Sequence, residues 1–282
     1  MSFEDLVTLL AGRRVAVLTG AGISTDSGIP DYRSPDSPPR NPITYQEFKG
    51  DPDFRQRYWA RNHVGWRFMD RAQPNAGHRA VAALEARGVV NGVITQNVDR
   101  LHQAAGSRNV IDLHGHFEQV ICLDCGETVP RAQLHERLVS LNPDVALGLE
   151  VPEIAPDADA VVEDFATFVV ANCEDCDGII KPDIVYFGEN VPKPRVERAY
   201  AMVDDAQALL VVGSSLTVMS GLRFVRHAAK TGKPVAILNR GATRGDPLAD
   251  VKLELSISDV LPALVEAFVG RDAYDSYPAA VT

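Results

Sequence analysis

The sequence predicts an α/β fold, a doubly wound parallel sheet that carries a smaller lobe. Three observations lead there. Short apolar runs ending in glycine or polar residues alternate with amphipathic stretches of helical period, the pattern of buried parallel strands and crossover helices. Two segments, about 34–73 and 117–178, interrupt that alternation. The second of them holds every cysteine in the chain. With 282 residues, 45% of them hydrophobic, the chain can bury one full core and still carry sizeable inserts.

The elements follow in order. A first strand is expected at Arg14–Thr19, running straight into Thr19-Gly-Ala-Gly-Ile-Ser24. Ser34–Gln73, rich in proline, arginine and aromatics, reads as an insertion. A helix over Ala76–Arg87 then leads to strands at Gly92–Thr95 and Val110–Asp112. Beyond the cysteine segment come a helix at Pro194–Ala206, a strand at Ala208–Gly213 and a helix at Ser220–Thr231. Strands at Pro234–Asn239 and Lys252–Leu255 complete the set, and Asp272–Thr282 reads as a frayed tail. This is a Rossmann-like domain with two insertions.

Composition narrows the function. No apolar stretch approaches the roughly 20 residues that cross a bilayer. Met1–Leu10 carries Glu4 and Asp5 and lacks the basic start of a secretory signal, so a cytoplasmic protein with no membrane partner is expected. The net charge of −10 argues against a nucleic-acid partner, because phosphate backbones demand basic patches.

The four cysteines fall as Cys122-x-x-Cys125 and Cys173-x-x-Cys176, with none left over. In an intracellular protein such pairs favour thiolate ligation over disulfides. Two such turns complete a tetrahedral, all-thiolate zinc site with no open position, which is a structural site. Two redox pairs are the competing reading. The span from Cys125 to Cys173 far exceeds the roughly 15–20 residues usual in zinc ribbons. Arg131–Asn172 is therefore an insertion within the module, its Asn142–Asp159 part a long loop.

In a doubly wound sheet, ligands bind at the carboxyl ends of strands, and polar signals cluster there. Gly20 and Gly22 allow close backbone approach to a pyrophosphate, with a helix N-terminus to meet its charge. The dinucleotide fingerprint is incomplete, since the next glycine is Gly28, and a tight turn without ligand competes. Thr95-Gln-Asn-Val-Asp99 places polar side chains at a helix start, as ligand contacts or as a simple cap. His114-Gly-His-Phe117 follows the next strand, so His116 competes with His114 for any role. Asn239-Arg-Gly241 ends a later strand with an amide suited to a ribose hydroxyl.

Taken together and in order, these motifs resemble the sirtuin family. The set is Gly20-Ala-Gly-Ile-Ser24, Gly28-Ile-Pro-Asp-Tyr-Arg33, Gln96-Asn-Val-Asp99, His114-Gly115, both cysteine pairs, Phe187-Gly-Glu189, Gly213-Ser-Ser215 and Asn239-Arg240. The resemblance spans about residues 5–268. Arg55-Gln-Arg-Tyr-Trp-Ala-Arg-Asn62, Cys122-Leu-Asp-Cys-Gly126 and the long cysteine gap resemble class II members, among them the mammalian mitochondrial one.

The resemblance implies an NAD-dependent protein lysine deacylase or deacetylase that transfers the acyl group to ADP-ribose and releases nicotinamide. NAD is then a consumed co-substrate, one zinc is structural, and an acyl-lysine protein or peptide is the partner. The Rossmann-like domain would comprise 1–35, 74–116 and 178–282, with 36–73 as cofactor loop and helical insertion and 117–177 as zinc-binding module. Gly20, Ala21, Gly22 and Ser24 would cradle the pyrophosphate, and Asp31 and Arg33 would shape the nicotinamide site. Gln96, Asn97 and Asp99 match ribose and nicotinamide contacts, with Asn97 also counted as catalytic beside His114, the general base. Gly213, Ser214 and Ser215 would reach phosphate and ribose oxygens, and Asn239, Arg240 and Ile257 the adenosine. Val185, Phe187, Gly188 and Glu189 match the segment that pairs with the substrate backbone as an added strand. Cys122, Cys125, Cys173 and Cys176 would bind the zinc.

Tyr58 and Arg61 have the Tyr-x-x-Arg spacing that resembles the carboxylate-reading pair of sirtuins removing succinyl-type groups, and that resemblance implies longer or acidic acyl groups; packing within the insert is the competing reading. A mono-ADP-ribosyltransferase and a non-catalytic NAD or ADP-ribose sensor are the alternative functions.

Overall fold

The computed structural model describes residues 1–31, 43–145 and 165–270. Arg33, most of the expected 142–159 loop and the Asp272–Thr282 tail lie outside the described residues. In chain order the elements are α1 (Phe3–Leu10), β1 (Val15–Thr19), α2 (Tyr45–Gly50), α3 (Pro52–Arg71), α4 (Ala76–Ala86), β2 (Val90–Thr95) and α5 (Leu101–Ala104). Then follow β3 (Val110–Asp112), β4 (Gly115–Cys122), β5 (Thr128–Pro130), α6 (Arg131–Leu141) and β6 (Ile180–Ile184). The chain closes with α7 (Lys193–Asp205), β7 (Ala208–Val212), α8 (Met219–Lys230), β8 (Val235–Leu238), β9 (Val251–Leu253) and α9 (Ile257–Val269). Chain contacts divide them into two units, 1–38 with 73–113 and 191–282, and 39–72 with 114–190.

The first unit is a six-stranded parallel sheet in the order β3-β2-β1-β7-β8-β9. Apart from Thr19 at the end of β1, valine, leucine, isoleucine and alanine fill β1, β7 and β8 because both faces are covered. Val15, Val17, Leu210, Val212, Ala236 and Leu238 point to one face, where α1, α4 and α9 pack. Ala16, Leu18, Leu209, Val211, Val235 and Ile237 point to the other, under α7 and α8. Each large apolar side chain so buried stabilises the fold by about 1.5–3 kcal/mol. The doubly wound expectation is met.

Element ends differ slightly from the sequence expectation, and the differences have causes. Val90 is buried and pairs with Val15 across a bulge, so β2 starts before Gly92. Gly213 turns out of β7 with a φ of +60°. Asn239 and Pro234 fall just outside β8. The β9 strand is Val251–Leu253, not Lys252–Leu255, because Val251 and Leu253 are the pair facing the core. Helices α4, α7 and α8 begin or end one residue from the predicted limits. No α-helix follows Gly20: Ala21–Ile23 and Thr25–Ser27 form two 3-10 turns that stop at Gly28, which has a φ of +82°. The expected helix N-terminus is therefore replaced by single turns, which sum too few peptide dipoles to matter.

The second unit holds a three-stranded sheet in the order β5-β4-β6, antiparallel throughout. Helix α3 starts at Pro52 behind Asp51, whose carboxylate accepts from the Asp53 and Phe54 amides. Arg131, at the start of α6, is fully buried. Its guanidinium lies over the rings of Trp59 and Trp66 at 5.5 and 4.7 Å and donates to Asn62 Oδ1 at 3.1 Å. Thus the start of the 131–172 insertion is a helix anchored on α3.

Candidate functional site

Each cysteine pair sits on a tight turn of the second unit. The Cys122 amide donates to the Glu127 carbonyl and the Cys173 amide to the Gly178 carbonyl, at 2.8 and 2.9 Å. Gly126 donates back to the Cys122 carbonyl and Asp177 to the Cys173 carbonyl. Both of these residues have positive φ, 80° and 59°. The two turns face each other so closely that a Cβ on Gly178 would lie 2.8 Å from Cys122 Sγ. Cys122 and Cys176 sulfurs are 3.6 Å apart, Cys125 and Cys173 sulfurs 3.7 Å, and all four lie within 4.8 Å of one another. Four thiolates at 2.3 Å around a tetrahedral zinc would be about 3.8 Å apart. The donor set fits a structural zinc, and it mixes the two pairs, unlike separate redox couples.

At the other candidate site, the sheet order reverses at β1. It runs to β2 on one side and to β7 on the other, which is a topological switch point. The loops leaving β1 and β7 touch there. The Gly22 amide donates to the Gly213 carbonyl at 2.9 Å. A Cβ on Gly20 would meet the Gly213 carbonyl at 2.8 Å, and one on Gly22 would meet Gly213 Cα at 2.9 Å. Only glycine fits this contact.

Polar groups converge on the same loops. Asn97 Nδ2 donates to the Gly20 carbonyl (3.1 Å) and to the Ser24 hydroxyl (3.0 Å). The Ser24 hydroxyl donates to Asp99 Oδ2 (2.7 Å), and the Leu101 amide donates to Asp99 Oδ1 (3.0 Å). Burial pushes the Asp99 carboxyl up from its ordinary value, while these two donors pull the other way. Gln96 Nε2 donates to the Ser214 hydroxyl (2.7 Å) and to the Thr19 carbonyl (3.2 Å), tying the β2 and β7 loops to β1. Ser215 and Thr217 hydroxyls pair at 3.0 Å. Asn239 Nδ2 donates to the carbonyls of Arg240 and Gly241. Ile257 opens α9 and packs 3.1 Å from where a Gly77 Cβ would stand.

Behind this cluster lies a layer that sequence reasoning does not single out. His78 Nε2 is 3.4 Å from the Ser24 hydroxyl, and the Asn75 amide donates to His78 Nδ1. His102 Nε2 is 3.0 Å from the Thr19 hydroxyl, which donates to Thr95 Oγ1. Burial holds His78 well below its ordinary pKa and lowers His102 to about 3, so both are neutral. The available signal is Asn75-Ala-Gly-His78, a capping box at the start of α4.

In the second unit, His114 leads into β4, and its carbonyl accepts from the Val185 amide at 2.7 Å. Gly115 has a φ of +79°, and a Cβ there would overlap the Asp183 carbonyl at 1.9 Å. His116 lies within β4. The segment after β6 is itself held in place, because the Tyr45 amide donates to the Phe187 carbonyl and Gln46 Nε2 to the Gly188 carbonyl. Tyr58 is 2% exposed, set edge-on to the rings of Phe48, Trp59 and Tyr186. Its phenol oxygen accepts from Asn62 Nδ2. Arg61 is part-buried on the same helix.

A parallel α/β domain with a glycine-lined cradle at its switch point is a nucleotide-binding architecture, here joined to a four-thiolate metal module. The chain belongs to the Sir2 family, whose model matches residues 20–220. An NAD-dependent protein deacetylase of Mycobacterium avium (strain 104) is 63% identical over 265 residues, covering 93% of this chain and 94% of the relative. One from Streptomyces coelicolor is 53% identical over 257 residues, 89% of this chain and 85% of the relative. A solved Sir2 complex with a p53 peptide and NAD+ is 31% identical with a TM-score of 0.76, covering 94% of this chain and 98% of that one.

Proposed function

We infer that this chain is an NAD-dependent protein deacetylase, acting on acyl-lysine in a peptide or protein and carrying one structural zinc. The observation that carries the reading is the Asn97–Ser24–Asp99 network locked against the glycine contact between the β1 and β7 loops. Bound NAD supplies an activated ribose carbon with nicotinamide as leaving group. The chain's own part is to bind, orient and move protons. Gly20, Ala21, Gly22 and Ser24 cradle the pyrophosphate, while Gln96, Asn97 and Asp99 contact the ribose and nicotinamide. Gly213, Ser214 and Ser215 meet phosphate and ribose oxygens, and Asn239, Arg240 and Ile257 lie by the adenosine. By the family resemblance, Asp31 and Arg33 would serve the nicotinamide site, and His114 would take the ribose hydroxyl proton. Val185, Phe187, Gly188 and Glu189 receive the peptide backbone, with the Val185 amide already committed to the His114 carbonyl.

Finer points belong to the same proposal. The Arg55–Asn62 motif and the long cysteine gap support a class II member like the mammalian mitochondrial one, and the acidic Met1–Leu10 segment supports a cytoplasmic location. Among the described residues no helix is long and apolar enough to cross a membrane. A preference for longer or acidic acyl groups rests on the Tyr58–Arg61 spacing, with Tyr58 largely engaged in packing.

Mass spectrometry of reactions with NAD and acetyl-, succinyl-, glutaryl- and lipoyl-lysine peptides tests the reading. Nicotinamide release with a matching acyl-ADP-ribose is expected, and His114→Ala should cut the rate by about 10²–10⁴ without loss of fold. A protein gaining an ADP-ribose mass instead would favour the transferase, and binding without turnover the sensor. Equal effects of Arg61→Ala on acidic and neutral peptides would remove the acyl preference.

A further inference from the structure

Lys181 is among the least exposed charged residues of the second unit, at 3%. It lies on β6, and its side chain folds forward over the chain that follows. Nζ donates to the Pro182 carbonyl (3.1 Å), to the Ile184 carbonyl and to Glu189 Oε2 (3.2 Å). It also sits 4.7 Å from the centre of the Tyr186 ring. An ammonium has three protons, and each finds an acceptor here. Glu189 Oε2 accepts from the Tyr186 amide as well (2.9 Å), and the Glu189 amide donates to the Tyr186 carbonyl (3.0 Å). One buried cation therefore gathers acceptors from positions 182, 184 and 189 and closes the turn between them. Val185, inside that turn, donates to the His114 carbonyl, and Ile184 pairs with Gly115.

We propose that Lys181 is a positioning residue for peptide recognition: its ammonium holds the Val185–Glu189 segment, and the backbone at His114, in the shape that receives substrate. The proposal rests on the deacetylase reading above. The physical ground is that a desolvated ammonium cannot leave its acceptors without stranding its charge, so the turn has one low-energy arrangement. A segment that pairs with a peptide backbone binds more tightly when it is ordered beforehand. Glu189 then has two tasks, anchoring the lysine from one side of the turn and bordering the peptide segment on the other.

The test uses the full-length, zinc-loaded protein with Lys181→Met, which keeps the length of the side chain and removes the charge. Affinity for an acetyl-lysine peptide should fall about tenfold or more, the worth of one charge-assisted hydrogen bond. NAD affinity by calorimetry and zinc content should match wild type. Hydrogen exchange at the Val185, Tyr186 and Glu189 amides should quicken, while amides of β1 and β7 keep wild-type rates. A folded variant with wild-type peptide affinity would overturn the proposal, and so would losses shared equally between NAD and peptide with faster exchange throughout. If Lys181→Met fails to fold, Glu189→Gln takes its place, because it keeps an acceptor for the lysine and loses the opposing charge. It should weaken peptide binding about threefold and speed the same three amides, and no change in either would overturn the proposal. A wild type that binds no acetyl-lysine peptide in the presence of NAD would sink the deacetylase reading itself. Peptide bound equally by wild type and variant would sink only the role of Lys181.

Discussion

The parallel sheet of the first unit and the antiparallel sheet of the second reach order by different means. In the first, β1, β7 and β8 bury every side chain, and apolar contact on both faces fixes the strands. In the second, β5 has three residues and exposed ends. Order there depends on four facing cysteines and two buried cations, Arg131 and Lys181. A sheet sustained by hydrophobic burial tolerates changes of solution chemistry. One sustained by thiolates and desolvated charge responds to metal, to truncation of a single side chain and to pH.

The largest expected effect comes from removing the metal. Structural zinc contributes on the order of 10 kcal/mol or more to small modules of this kind. A chelator should therefore abolish amide protection in β4–β6 while leaving β1 and β7 protected, and Cys125→Ser should do the same. Protection retained across β4–β6 in a metal-free sample would break the contrast. Next, Leu210→Ala in the middle of β7 should cost 2–5 kcal/mol by the transfer and cavity terms, read from denaturant midpoints. Leu210 is 2% exposed, with core on its whole face.

Arg131 sharpens the comparison further. Its Nε and Nη1 have no hydrogen-bond partner among the described residues, and the guanidinium lies against two indole rings. Burial lowers its pKa to about 10, still far above neutrality, so it stays charged. Arg131→Ala should cost about 3 kcal/mol through the cavity it leaves, whereas Arg131→Met should cost under about 1.5 kcal/mol by filling it without the desolvated charge. Equal losses for the two variants would show that the charge, not the packing, matters.

An effect smaller than that of Arg131→Ala is the pH response of the histidine pair beside it. His63 and His135 stack at 4.6 Å, and burial first, then neighbouring cations, push their pKa values down to about 3 and about 4. Both stay neutral in the fold, while an unfolded histidine takes up a proton near pH 6.5. The contribution of each to stability is thus complete above about pH 6.5 and is lost as pH falls towards the folded value. For His63, 1% exposed, about 2 kcal/mol should be lost between pH 7.5 and 5. His63→Phe should flatten that slope in urea titrations at the two pH values.

Much of the parallel sheet was legible in the sequence, because strands buried on both faces read as unbroken apolar runs. Their ends were not, since Gly213 and Pro234 leave the ladder through backbone geometry, not through polarity. The four cysteines were legible by spacing alone, and their sulfurs do converge. What spacing could not reveal is contact between distant polar residues. Ser24 and Asp99 carry no mutual signal, and their hydrogen bond exists because β1 and β2 are neighbours in register. Nothing in the sequence around Lys181 and Arg131 marks them as the buried cations they are in the fold. The helix expected after Gly20 failed for a local reason, the positive φ at Gly28 that stops the second turn.

The place of β1 in the sheet also sets a timetable for the growing chain. This strand ends at Thr19, yet its partner β7 begins only at Ala208, after the whole second unit has been made. At ribosomal speeds of about 5–20 residues per second, the gap is roughly 10–40 s. Through that interval one edge of a buried strand, apolar from Val15 to Leu18, waits without its ladder, the kind of edge that invites pairing with another chain. The cysteine module can emerge and collect its metal during the wait, so the last-folded unit begins first in sequence and finishes last in time.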